Sequence, residues 1–162
     1  MTWRSKINLK ILKPSRKPVT PGDIFVFQLL EDRYHYGRVI KVEESGGPID
    51  TGFLLLYCYN ATSPVKEQIP SLNRDDLIIP PEHTIRKERG WIKGYFETIA
   101  HVDLTPDDIL PIHCFWSFCN GIYCDEYGNP LPERIEPCGL YGVGSFASID
   151  DKISKRLGLP TE

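Results

Sequence analysis

The sequence predicts a mainly β, α+β protein: a small SH3-like or β-barrel-like antiparallel sheet with a C-terminal α-helix. Three observations predict it. Fourteen prolines and thirteen glycines cut 162 residues into short pieces, which favours strands over long helices. Short apolar runs recur between turn signals, the pattern of strands joined by hairpins. The clearest helical spacing, Ile149-Ile153-Leu157, comes near the end of the chain.

The elements follow in order. Pro21-Gly22-Asp23 is a turn signal that launches a strand over 24–30. Glu31-Asp32-Arg33 is a polar break, and a second strand, 34–42, returns through Tyr36 and Gly37. The loop Ser45-Gly46-Gly47-Pro48 leads into a strand at 52–59. That run is apolar on both alternating faces, so it should be covered on both sides. Leu77-Ile78-Ile79 precedes Pro80-Pro81, and since proline cannot donate to a ladder, the strand is expected to stop there. Residues 91–102 are expected to hold another strand or strand pair. Thr105-Pro106-Asp107-Asp108 combines a capping hydroxyl, a proline at the first helical position and an acid at the third. It should open a helical turn that Pro111 closes, and the two aspartates favour its positive end.

Residues 112–127 read as a hairpin. Asn120-Gly121 suits a two-residue type I′ turn, in which both positions need φ > 0. That register sets Cys119 opposite Ile122, Phe118 opposite Tyr123 and Trp116 opposite Asp125. One face then carries Cys114, Trp116, Phe118, Tyr123, Asp125 and Tyr127, and the other Phe115, Ser117, Cys119, Ile122, Cys124 and Glu126. Which face is buried stays open. Gly139 to Gly144 reads as a flexible connector into the last helix. For that helix Ser148 is the expected N-cap, Asp150 and Asp151 the first turn, and Gly158 the stop.

The expected organisation is one domain over 1–162, with 1–18 as a basic N-terminal extension. The composition, 41% hydrophobic and 25% charged, is that of an ordinary globular protein. No apolar run approaches the roughly 20 residues a membrane span requires. Met1 to Lys17 lacks the continuous apolar stretch of a signal peptide, so a cytoplasmic location is expected. The five cysteines are an odd number, which fits reduced thiols better than a disulfide framework.

The net charge of −3 hides a division. Residues 1–18 carry six bases and no acid, while residues 97–136 carry eight acids against Arg134 alone, a net of −7. Such an asymmetry shapes the field and the choice of partner.

Catalytic and metal chemistry find little support. His113, Cys114, Cys119, Cys124 and Cys138 invite a zinc reading, but the hairpin register turns Cys114 away from Cys119 and Cys124. No cysteine lies in a nucleophile signature, and 139–144 lacks the lysine of a phosphate loop. No cofactor, metal or catalytic residue is therefore expected. A small barrel that binds nucleic acid is the alternative function, with the basic extension on phosphate; the acidity of the aromatic-rich region opposes it. A protein partner fits better. Trp116, Tyr123 and Tyr127 beside Asp125 and Glu126, with Asp103, Asp107 and Asp108 nearby in sequence, combine hot-spot residues with a charged surround. The oligomeric state is left open.

One resemblance sharpens this reading. Gly22-Asp23-Ile24-Phe25, Tyr34-x-Tyr36-Gly37-Arg38-Val39, Leu54-Leu55-Leu56-Tyr57 and Trp91-x-x-Gly94-x-Phe96 stand in an order and spacing that resemble the immunity protein 26 family of bacterial polymorphic toxin systems. The resemblance covers about half the chain, from Pro21 to Val102. It implies a mainly β fold and a role in binding and neutralising a cognate toxin domain. Joined to that role, the acidic aromatic patch is expected to cover a basic active site, such as that of a nuclease, with no catalysis of its own. The basic extension and the cysteine-rich hairpin depart from the pattern and could mark specificity. Gly22 and Gly37 suit places where a side chain would clash, Asp23 can close a turn, and Trp91 and Phe96 are expected in the core rather than in a site.

Overall fold

The computed structural model describes residues 7–161. Arg4 and Lys6 of the basic extension lie outside them. The opening hairpin forms as expected: β1 (Asp23–Phe27) runs antiparallel to β2 (Tyr34–Glu43), with Val26 opposite Tyr36. β3 (Phe53–Ser63) and β4 (Leu77–Ile85) follow, then a one-turn helix α1 (Gly90–Lys93) and β5 (Glu97–His101). A 3₁₀ turn (Pro106–Asp108) precedes β6 (Cys114–Ser117), β7 (Ile122–Cys124) and β8 (Cys138–Leu140), and α2 (Phe146–Leu157) ends the fold.

The strands make two sheets, one of five in the order β4-β3-β2-β1-β5 and one of three in the order β7-β6-β8. The mainly β expectation holds, but the five-stranded sheet is open, with β4 and β5 at its edges, and no barrel closes. β3 explains the layering. Leu54, Leu56 and Cys58 point to one side of the sheet, into a core with Phe25, Phe27, Trp91, Phe96, Ile149 and Ile153. Phe53, Leu55, Tyr57 and Tyr59 point to the other, into a core with Leu110, Phe115 and Cys124. α2 covers the first side and the small sheet the second, so the doubly apolar strand is covered on both, as its sequence requires.

In the first core Phe25 meets Trp91 edge-on at 5.0 Å and Phe96 at 5.1 Å. Gly37 makes room for this cluster, since a Cβ there would fall 2.3 Å from the Phe25 ring. Gly22 holds φ +98° with Val102 O closing on its Cβ position. Asp23 accepts from Thr20 N (2.9 Å), the turn its sequence position suggested. Residues 7–19 form a strap over the same side. Lys10 N donates to Gln28 O, Leu12 N to Gly94 O and Ser15 N to Trp91 O. Leu9 is buried, and the Asn8 amide donates to Ser154 Oγ (2.9 Å) and Pro160 O (2.5 Å).

Three local expectations are corrected. β4 does not stop at Pro80 but continues through both prolines. It is an edge strand, and its pairing with β3 jumps between Leu56–Glu82 and Cys58–Ile79, so the prolines sit in the irregularity where no ladder donor is needed. The strand expected within 91–102 is present as β5, with the one-turn helix α1 before it. α2 begins three residues earlier than expected: Ser145 is the N-cap, accepting from Ala147 N (3.2 Å), and Ser148 completes the capping box. Asp150 is thereby moved from the first turn into the core, where it accepts from Asn8 N (3.2 Å) and Ser154 Oγ (3.2 Å), and Leu157 falls outside the buried stripe. Finally, the expected connector at 139–144 begins within β8, and Gly144 bridges to Thr84.

Candidate protein-binding face

The small sheet presents one side to the core and one to solvent. In the hairpin, Phe115 stands opposite Cys124, Trp116 opposite Tyr123 and Ser117 opposite Ile122. The expected two-residue turn is therefore a four-residue loop, Phe118 to Gly121, with Gly121 N donating to Ser117 O (2.8 Å). A type I′ turn needs two positive φ angles, and here Gly121 alone has one, +63°. The register differs from the expected one by an even number of residues, so the two faces keep their membership. Phe115 and Cys124 are buried against Tyr57 and Leu110, which settles the side the sequence left open.

Trp116 and Tyr123 consequently face outward. β8 lies parallel to β6 on its other flank, with Leu140 opposite Trp116. A row of Tyr123, Trp116 and Leu140 thus crosses all three strands on the solvent side. The Trp116 and Tyr123 rings lie 4.8 Å apart, and Phe118 stacks edge-on to Trp116 at 6.3 Å. Phe118 is 76% exposed and Leu140 51%, so this is an apolar ridge in water. Sequence reasoning placed Phe118 on the right face without naming it as a site residue, and it missed Leu140. Nothing in the Cys138-Gly139-Leu140 triplet announces a parallel strand.

The acidic candidates separate into different roles. Glu126 is 6% exposed and faces inward. It accepts from Lys41 Nζ (2.7 Å) and from His113 Nδ1 (3.0 Å). Leu110 N donates to Tyr57 Oη (3.0 Å), which leaves the Tyr57 hydroxyl to donate to His113 Nε2 (2.6 Å). The chain Tyr57–His113–Glu126–Lys41 is therefore satisfied along its length. Burial would lift the Glu126 carboxyl, but the hydrogen bonds from His113 and Lys41 outweigh it and hold it at about 2. Burial lowers Lys41 in turn, and Glu126 and Tyr127 raise it to about 12. Both shifts favour the ion pair. The network resembles a catalytic triad in order only, since Tyr57 is completely buried.

Asp125 closes the turn after β7, accepting from Tyr127 N and Asn129 N, both at 2.9 Å. Tyr127 is exposed along one edge; its hydroxyl donates to Glu43 Oε2 (2.7 Å), and Lys41 sits 4.9 Å from its ring centroid. Asp103, Asp107 and Asp108 occupy the separate β5–β6 loop. Asp108 accepts from Thr105 N (2.8 Å), which lowers its pKa together with the Arg38 guanidinium 3.3 Å away. Asp107 is exposed, and Asp103 is exposed beside His101 Nε2 (3.0 Å). Hydrogen bonds from His101 to Asp23 and Asp103 raise the pKa of that imidazole.

The field of 97–136 is weaker than its sequence suggests. Lys66 pairs with Glu97, Arg38 with Asp108 and Lys41 with Glu126, three cations from outside the segment. Counting them leaves a net of −4 where the segment alone has −7.

Among the described residues no group of three or more His, Cys, Asp or Glu could hold a metal ion. No helix among them is long and apolar enough to cross a membrane. A cleft of about 570 Å³ lies beside the strap, lined by Lys13, Lys17, Asp23, Trp91, Glu97 and His101 among others, so acids and bases face it together.

A family model described as Immunity protein 26 matches residues 20–125. The match runs from the turn before β1 to just past β7, and leaves β8 and α2 outside it. No curated protein and no solved structure matches the chain.

Proposed function

This chain belongs to the immunity protein 26 family, and from that premise we propose that it is a non-catalytic inhibitor acting in the cytoplasm of a bacterium with a polymorphic toxin system. It binds a cognate toxin domain and covers that domain's active site. The observation that carries the reading is the outward row of Tyr123, Trp116 and Leu140 with Phe118 beside it. Water gains by release from such a row, and aromatic residues at the centre of a patch are where binding energy concentrates. Tyr127 and Asp125 from the turn after β7, with the Arg134–Glu136 pair whose guanidinium bonds to Tyr123, supply the polar surround. Exposed Asp103 and Asp107 on the β5–β6 loop are a further acidic contribution. Acidity there suits a toxin with a basic cleft, as a nuclease has, and speeds the encounter more than it tightens the complex.

The test is binding to the toxin domain encoded beside this gene. Trp116→Ala with Phe118→Ala should weaken the complex by about 2–4 kcal/mol, roughly thirty-fold to a thousand-fold, through faster dissociation. Its thermal midpoint should stay close to wild type, because both rings stand on the solvent side. Unchanged affinity would move the site elsewhere. Asp103→Lys with Asp107→Lys should slow association and flatten its salt dependence. Glu126 is unsuited to this test, since reversing a buried, ion-paired carboxylate probes the fold.

A further inference from the structure

We propose that Cys114 and Cys138 are a paired thiol site that closes to an intramolecular disulfide when the protein meets a low-molecular-weight disulfide oxidant, covalently tying β8 to β6. The two cysteines are direct partners in the parallel β6–β8 pair. Their sulfurs lie 3.2 Å apart, inside van der Waals contact, and both are free thiols. A disulfide needs about 2.05 Å, and neighbouring strands place Cα atoms within the range such a bond spans. An approach of roughly 1.2 Å by side-chain rotation closes the gap.

The other thiols are placed differently. Cys124 faces the core opposite Phe115, Cys119 sits on the exposed hairpin loop, and Cys58 belongs to the other sheet.

Access sets the order of events. Cys114 is 1% exposed, whereas Cys138 is half-buried. Cys138 therefore loses its proton and attacks one sulfur of the oxidant, expelling the other half as a thiol and leaving a mixed disulfide. Cys114, giving up its own proton, then attacks the Cys138 sulfur and releases the second thiol. Two protein thiols are oxidised and one external disulfide is reduced to two thiols, so the exchange balances. Burial and the neighbouring Cys114 push the Cys138 thiol up to about 12. The first step is accordingly slow at neutral pH and rises about tenfold per pH unit, with the thiolate fraction.

The experiment uses the full chain incubated with oxidised glutathione, then alkylated, unfolded and mapped by peptide fragmentation. Arg134 separates Cys138 from the other cysteines for trypsin, and fragmentation assigns its partner. The expected result is a Cys138–Cys114 bridge, a loss of two hydrogens at that pair separate from any glutathione added at the exposed Cys119, formed about tenfold faster at pH 9 than at pH 8. Cys114→Ser should stop at a glutathione adduct on Cys138, and Cys119→Ser should leave the bridge intact. A wild-type product with both cysteines still alkylated, or with Cys138 joined to Cys119 or Cys124, would overturn the proposal. The wild-type map decides even where a variant fails to fold, and it is independent of toxin binding.

Discussion

Glu126 and Tyr127 are neighbours in sequence and differ in situation. The tyrosine edge meets solvent, while the carboxylate stands between Lys41 and His113 inside the protein. Removing one partner of a buried ion pair strands the other, which costs about 3–5 kcal/mol. Lys41 retains some access to water, so Glu126→Ala is expected near the lower end, about 3 kcal/mol by urea unfolding at pH 7. The pH dependence has a definite sign. An unfolded Glu titrates near 4.3 and folded Glu126 near 2, so its contribution is complete above about pH 5 and is lost as pH falls towards 2. His83 acts in the same direction at higher pH: burial pulls it down to about 4, and its share is lost between roughly 6.5 and 4. Glu88 opposes both. Burial lifts it to about 7, so what it contributes is present below about pH 4 and is lost as pH rises through 7. Below pH 4 Glu126 therefore dominates, and Glu126→Gln should flatten the stability curve there. An unchanged slope would contradict the network. Gly37→Ala should be destabilised by about 1–3 kcal/mol through overpacking, because its new methyl meets the Phe25 ring.

The hairpin β6–β7 tests the register directly. A two-residue turn would need left-handed backbone at Asn120 as well as Gly121, whereas the observed loop needs it at Gly121 alone. Asn120→Ala should then lie within about 0.5 kcal/mol of wild type, while Gly121→Ala should be less stable by about 1 kcal/mol. Equal losses at both positions would restore the tighter turn. Ser145→Ala should lower stability by about 1 kcal/mol, or roughly 2–4 °C in thermal midpoint, through loss of the α2 cap. These elements also show where sequence reasoning reaches. Periodicity carried β3 to the right conclusion because burial on both faces leaves no polar position in the run. It also kept the membership of the two hairpin faces, since an even slip preserves parity. It could not decide which face is inward, because Phe115 and Trp116 are equally apolar and only the packing against Tyr57 and Leu110 chooses. Pro80 and Pro81 ended a strand on paper because edge position is a property of the sheet. Ser145 lost to Ser148 because both are capping residues and the choice depends on where Phe146 packs, against Tyr95 with centroids 4.9 Å apart.

The whole molecule depends on its first described residues more than their basic composition suggests. The strap carries Lys13, Arg16 and Lys17 outward while Leu9 and Asn8 turn into the layer between the large sheet and α2. Burying Leu9 is worth about 1.5–3 kcal/mol, and each hydrogen bond of Asn8 and of the strap backbone adds about 1 kcal/mol. Together these approach the 5–15 kcal/mol that holds a typical domain folded. Deleting residues 1–17 should therefore abolish the cooperative thermal transition or lower its midpoint sharply, as followed by circular dichroism. Lys13→Glu with Lys17→Glu should leave the midpoint nearly unchanged, since both side chains point to water. The pair of variants separates charge from packing, which truncation alone confounds. If the substitutions reduced binding to single-stranded nucleic acid while the fold stayed intact, the strap would have a phosphate-binding role beside its structural one. A truncated chain with a wild-type midpoint would show instead that the layer closes without it.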